Sequence, residues 1–273
     1  MAVIAISRQV AALGDEICTS LAKELGYDFI NRKMIEKRII ELGFSAEKLK
    51  RYDERKPGFF ASLVKDRDEY LDYLQTAILE AAVKDNCILI GRGSFAILEK
   101  IPNVLSVRFV AADNIRCERL MNEFNWNEKQ AFQRINESDQ NRAGFHNSFF
   151  NIDNTNAANY HMVLNTGIFD EATSVQILKN LVQTIITPEK EEIGKKLILN
   201  MYDCQKLTNE LIFKYKLCIN YLHATMHDNV VELHGVADSS AISEKAVMLS
   251  RSILPDKEIK SCISVVQDFK AYS

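Results

Sequence analysis

The chain lacks any run of the ~18 consecutive apolar residues that a membrane-spanning helix requires, so no part of its 273 residues is expected to cross a bilayer in that form. Residues 1–7 carry no basic segment ahead of a long apolar stretch, which argues against a secretory leader. Closely spaced cysteine pairs are missing as well. Cys18, Cys87, Cys117, Cys204, Cys218 and Cys262 lie far apart, with no zinc-ligand spacing, so reduced thiols in a cytoplasmic protein are expected and no metal is assigned. There is no surplus of positive charge: 34 Lys and Arg face 37 Asp and Glu, the net charge is −3 and the pI is near 6.0. Nothing therefore marks a nucleic-acid partner. What remains, 47% apolar and 26% charged residues, is ordinary globular composition, long enough for one large or two ordinary domains.

The most informative stretch runs from Val3 to Ile17. Val3 to Ile6 is a short apolar, β-branched run, suited to a buried strand and too short for a helix. A tight segment with Gly14 follows, and then Ile17, Leu21, Ala22 and Leu25 repeat at helical spacing. Strand, turn and helix in that order builds a phosphate-binding loop, because a helix N-terminus presents unpaired N–H groups and the positive end of its dipole. The loop is nonetheless poor in what such loops use. Leu13-Gly14-Asp15-Glu16 stands where a Gly-Lys-Ser/Thr ending is usual, with one glycine and an acid in place of the lysine.

Further along, strands are expected at 26–30, 87–90, 104–110 and 163–166. Helices are expected up to Leu42, from Ser45, over 68–83, 115–124, from Asn127 to about Arg142, and over 171–186. Residues 50–68, highly charged around Pro57-Gly58, read as a loop or helix–helix corner. Strands alternating with helices predict a parallel α/β sheet, whose ligands bind at the carboxyl ends of the strands. Gly14, Arg92 and Thr166 all follow predicted strand ends.

Several short pieces, in order, resemble the cytidylate-kinase-like family of P-loop nucleotide kinases over residues 1–186. They are Ile6-Ser7-Arg8-Gln9, Glu16-Ile17, Leu25-Gly26-Tyr27, Arg32, Ile90-Gly91-Arg92-Gly93, the run from Arg134 to Arg142, and Tyr160 to Thr166. The resemblance implies a P-loop kinase-type α/β fold, a five-stranded parallel core with a helical lid. It also implies phosphoryl transfer from ATP, with Mg²⁺, to a nucleoside monophosphate of the CMP or dCMP class. Carried over by position, Arg134, Asp139 and Arg142 would be catalytic. Ser7, Arg8, Gln9, Gly14, Asp15 and Glu16 would hold the cofactor, and Arg32, Gly91, Arg92 and Gly93 the acceptor. Phosphoryl transfer depends on positioning and positive charge, which arginine's rigid fork supplies two oxygens at a time. Arg134 and Arg142, eight residues apart on one helix, fall within ~80° of each other and can face one cleft.

The departures are concentrated in the loop. Family members tend to have a loop like Gly-Ser-Gly-Gly-Arg-Glu, where this chain has Ala11 to Glu16. Ala11, Ala12 and Leu13 carry Cβ atoms that restrict backbone conformation, and Asp15 repels a triphosphate at close range. Asn31 stands where the family tends to have aspartate before Arg32. Phe145, Phe149 and Phe150, placed after the lid, are expected either to pack or to wall the cleft over a base, and Trp126 to be lid packing.

Domain boundaries are expected at 1–187, with 188–196 as a charged linker or helix start, and 197–273. In the last segment a helical stretch precedes strands at 219–226 and 230–233, joined by a turn at His227-Asp228-Asn229. A helix over 240–253 and a strand over 259–266 follow. Val230 to Gly235-Val236 and Ala246 to Ile253 resemble a BON domain, which implies a small ligand or lipid surface as partner, or regulation of an attached domain. His223, His227 and His234 read as exposed residues near the turn rather than metal ligands. Two classes stay open. One is a nucleoside monophosphate kinase; the other is a catalytically inactive sensor that binds a nucleotide or another phosphate-bearing small molecule. A homodimer is compatible with either.

Overall fold

A computed structural model describes residues 2–53 and 64–266, so the centre of the expected 50–68 corner lies outside the described residues. The chain divides into two compact units, Met1–Lys195 and Lys196–Ser273. In the first unit the elements are β1 (Val3–Arg8), α1 (Gly14–Leu25), β2 (Asp28–Ile30), α2 (Arg32–Glu41), α3 (Ala46–Asp53), α4 (Val64–Val83), β3 (Cys87–Ile90) and α5 (Ser94–Ile97). They continue with β4 (Val104–Val110), α6 (Asp113–Phe124), α7 (Glu128–Phe150), β5 (Met162–Asn165) and α8 (Glu171–Ile185).

Among the described residues the five strands form one parallel sheet in the order β2-β3-β1-β4-β5. This is the α/β core that the alternation of elements predicts. β1 is central because its apolar run is buried on both faces: Val3, Ile4, Ala5 and Ile6 are fully inaccessible. α1 and α8 pack together on one face, burying Ile17, Leu21, Val175 and Leu178 against the strands. β1 and β3 both end beneath the N-terminus of a following segment, which opens a crevice at their carboxyl ends.

The helix expected to end near Arg142 runs on to Phe150. A capping box starts it, with Asn127 and Gln130 each bonding the other's backbone N–H. It continues because Phe145, His146, Phe149 and Phe150 recur at helical spacing and pack on one another, with Phe145 and Phe149 centroids 4.8 Å apart. The aromatic cluster is thus the last two turns of the helix, not a loop beyond it. Residues 188–196 are likewise helical: α9 (Pro188–Asn209) begins with Pro188 at its first position, where a missing N–H costs nothing.

In the second unit the end of α9 runs into a π turn at Glu210–Lys214. β6 (Ile219–His227), β7 (Val230–Ala237), α10 (Ser240–Ile253) and β8 (Glu258–Val265) follow. β6 and β7 form an antiparallel hairpin, and β8 joins β7 in parallel after the crossover through α10. Leu207, Leu211, Val231, Leu233, Ala246 and Ile263 form its core. Among the described residues no helix is long and apolar enough to cross a membrane, and all six cysteines are free thiols.

Candidate functional site

A cavity of about 190 Å³ opens at the carboxyl ends of β1 and β3. Its wall carries Arg8, Arg32, Arg67, Arg92, Arg134 and Arg142 and, among the described residues, no carboxylate. Phe95, Phe145, His146 and Phe149 supply the apolar side. Six guanidinium groups drawn from β1, α2, α4, the turn after β3 and α7 meet only because the sheet places those element ends together.

Arg8 is the last residue of β1, and its side chain crosses Gly91. A Cβ at Gly91 would stand 2.5 Å from Arg8 Nη1, which the end of that side chain can yield, but Gly91 holds φ +83, so it is the backbone that calls for glycine there. Gly93 is constrained by its backbone too: φ is +71, and the Phe150 ring occupies the space a Cβ would take. Arg92 itself adopts a left-handed φ of 52, which turns its side chain inward. Its Nη2 donates to Glu36 Oε1, and its guanidinium lies 5.7 Å from the Phe145 ring centroid. Arg32 Nε donates to the same Glu36 oxygen at 2.6 Å. Burial works to raise the Glu36 pKa, but Arg92 and Arg32 outweigh it and hold the carboxyl below its ordinary value. One carboxylate behind the wall therefore serves two guanidinium groups.

Arg134 and Arg142 do face this cleft together, as their spacing predicts. Arg142 Nη1 donates to Ser138 Oγ. Burial, then the nearby Arg8, pushes the Arg142 pKa down to about 9, with Asp139 opposing and Arg134 and Arg108 adding to the fall. Arg8 is shifted down too, first by burial, against Asp15 and Cys18, with Arg32 and Arg92 contributing. His146 Nδ1 donates to the Arg142 carbonyl at 2.7 Å. Burial, then the surrounding arginines, drives the His146 pKa to about 4, against that hydrogen bond, so the ring is neutral and Nε2 is an acceptor. The cavity is short of negative charge, and a bound anion would relieve it.

Asp139 has a different place. It accepts from Arg116 Nη1 at 2.9 Å, while Arg116 Nη2 donates to Asp113 at 2.5 Å. Arg116 is only 1% exposed, so this pair of carboxylates anchors α7 to α6 behind the cavity wall. Gln9 also lies outside the cavity wall: its Oε1 accepts from Ala111 N at 3.1 Å. Ser7 lies in the wall, its Oγ accepting from Arg108 Nη1 at 2.9 Å and from Tyr160 OH at 3.3 Å. Arg108 is a residue that motif reading missed. Its signal is an arginine inside the apolar run Val104–Val110, 5% exposed on a strand buried on both faces.

The loop from Gln9 to Glu16 does not line the cavity. Its backbone keeps the form of an anion nest: Ala11 (φ 57) and Leu13 (φ 53) are left-handed without glycine, with Ala12 between them. Arg119 holds that form, donating to the Ala11 carbonyl at 2.9 Å and to the Thr166 carbonyl at 2.7 Å. The charge does not match the backbone. Exposed Asp15 and Glu16 fill the first turn of α1 and already compensate its positive end, and Gly14 stacks on the Arg8 stem. Val10 and Ala11 pack against the Cys117, Leu120, Ala131 and Ile135 cluster between α6 and α7. ATP with Mg²⁺, which the family resemblance implies, would meet a left-handed loop backbone that suits it and acidic side chains that oppose it.

A parallel β2-β3-β1-β4-β5 sheet with a loop and helix after β1 and an arginine-lined cleft defines a P-loop kinase-type α/β protein. The chain belongs to the cytidylate kinase-like family, whose model matches residues 3–168. An uncharacterized protein from Eubacterium ventriosum is 18% identical, with a TM-score of 0.55 over 67% of this chain and 98% of that one. A shikimate kinase from Bacteroides thetaiotaomicron is 14% identical, with a TM-score of 0.41 over 67% and 98%. A search of curated proteins returned no match.

Proposed function

We propose that the N-terminal unit is a cytidylate-kinase-like nucleotide-binding module that takes a nucleoside monophosphate of the CMP or dCMP class into the arginine cavity. The observation that carries this reading is the wall itself: among the described residues it holds six arginines and no carboxylate, with Arg142 shifted to about 9 by burial and like charge. Arg8, Arg134 and Arg142 would grip the phosphate, Arg32 and Arg92 would orient it from their shared Glu36, and Phe145 and Phe149 would flank the base. Gly91 and Gly93 would act by giving these side chains room. The activity of the wider family, transfer from ATP with Mg²⁺, is weakened on this reading by Asp15 and Glu16.

A second reading is favoured by that same loop: a catalytically inactive sensor that binds a nucleotide or other phosphate-bearing molecule. The C-terminal unit, read as BON-like from its strand-strand-helix-strand order, would then bind a small ligand or lipid surface. Calorimetric titration with CMP, cytidine and Mg-ATP, followed by an ADP-release assay, tests both. CMP binding without cytidine binding supports the cavity assignment, and added turnover selects the kinase. CMP binding without turnover selects the sensor, and no binding of CMP overturns the proposal.

A further inference from the structure

The second unit carries a cluster that the nucleotide site does not use. The sheet register sets His223 of β6 opposite His234 of β7, and His234 beside Cys262 of β8. Alternation decides the face. Val231 and Leu233 point into the core, as do Ile259 and Ile263, so Glu232, His234 and Cys262 share the opposite side of the sheet. The histidines are therefore not merely beside a turn: His223 and His234 lie within the strands, stacked with centroids 4.9 Å apart and planes 12° apart.

The ligand atoms of Glu232, His234 and Cys262 all fall within 4.8 Å of one another. His234 Nε2 is 3.8 Å from Glu232 Oε2 and 3.2 Å from Thr225 Oγ1. His223 Nδ1 lies 3.0 Å from the Tyr221 carbonyl, to which it donates, so its Nε2 keeps a lone pair. An imidazole, a thiol and one carboxylate form the donor set of a borderline divalent transition metal. Calcium and magnesium want several oxygens. Donors around tetrahedral zinc lie about 3.3–3.8 Å apart, so side-chain rotation suffices to close the cluster.

We propose that Glu232, His234 and Cys262 form a binding site for a zinc-class divalent ion, with His223 or water in the fourth position. Cys262 is exposed and the other two are half-buried, so an ion enters directly from solvent. On binding, the Cys262 thiol releases its proton to water and its sulfur bonds the metal as thiolate.

The test uses the metal-free full chain titrated with Zn²⁺ alone. One equivalent should bind, and Cys262→Ser and His234→Ala should each weaken it by at least about 10-fold, since losing a ligand costs no less than losing the outer-shell group that orients one. His227→Ala, at the hairpin end of the same face, should leave the affinity unchanged. With Co²⁺ as probe, a thiolate-to-metal charge-transfer band should appear in the wild type and in Cys218→Ser, and vanish in Cys262→Ser. Absence of stoichiometric binding, an unchanged affinity in folded Cys262→Ser, or a Co²⁺ complex without that band overturns the proposal.

Discussion

Arg142→Met offers the sharpest test of a cavity built to be completed by an anion. In the folded chain the Arg142 pKa lies at about 9 against an ordinary 12.5, because the guanidinium is buried beside other cations. A base whose pKa falls on folding is destabilised in its charged form at every pH below the folded value. That is the state at pH 7; the cost is relieved only as pH rises from about 9 towards 12.5. At roughly 1.4 kcal/mol per pH unit the strain has an upper bound of about 5 kcal/mol, and relaxation and solvent reduce it to about 1–3 kcal/mol. Methionine keeps most of the apolar stem and forfeits the bond to Ser138, worth about 1 kcal/mol. Without ligand, Arg142→Met should thus melt at the wild-type temperature or up to about 8 °C above it, using about 2–4 °C per kcal/mol for a domain of this size. The stabilisation that CMP confers on the wild type should shrink at the same time. Thermal denaturation at pH 7 with and without CMP reads both. If the variant melts well below the wild type while CMP still stabilises it fully, Arg142 is an ordinary structural residue and the reasoning fails.

Other expectations follow from the same geometry. Asp15→Lys should tighten Mg-ATP by about 5–10-fold, since one reversed charge near a polyphosphate is worth about 1 kcal/mol at high effective dielectric; equal calorimetric affinities would show that ATP does not use this loop. Gly93→Ala should lower stability by about 2–4 kcal/mol, because left-handed backbone and the Phe150 ring both oppose a Cβ; a urea midpoint within error of the wild type would refute it. Glu36→Gln should cost about 1–3 kcal/mol at pH 7 by leaving Arg32 and Arg92 without their shared carboxylate. The Glu36 pKa is lowered on folding, so the wild-type advantage should be complete above about pH 4.5 and fade as pH falls further. Urea unfolding at pH 7 and pH 3 that gave the same difference would contradict this assignment.

The parallel sheet was legible because its inner strands β1 and β3 are written as apolar runs, the usual form of a strand buried on both faces. Val3 to Ile6 and Cys87 to Ile90 are such runs. Cavity residues were legible where they follow those runs, as Arg8 and Arg92 do, or where helical period links them, as with Arg134 and Arg142. Asp139 shares the helix of the two arginines and matched the family motif. Its ion pair with Arg116 of another helix is a long-range contact that no local spacing encodes. Arg108 and Arg119 were passed over for the same reason: each bonds a partner far away in the chain. Arg67 bonds its neighbour Asp68, and its place in the cavity wall comes from where α4 lies, which local spacing does not encode either.

The sequence by itself determined the order of strands and helices, the loss of glycine and lysine from the phosphate loop, and the family. These depend on side-chain period, backbone permission and local charge, which are properties of neighbours along the chain. Only the tertiary structure decided that six arginines share one cavity wall, that Glu36 serves two of them, and that His223, His234 and Cys262 stand in one row across three strands. Those are distances between segments brought together by sheet register and helix packing. Burial then set the charge behaviour of the groups enclosed, as the displaced Arg142 and His146 pKa values record.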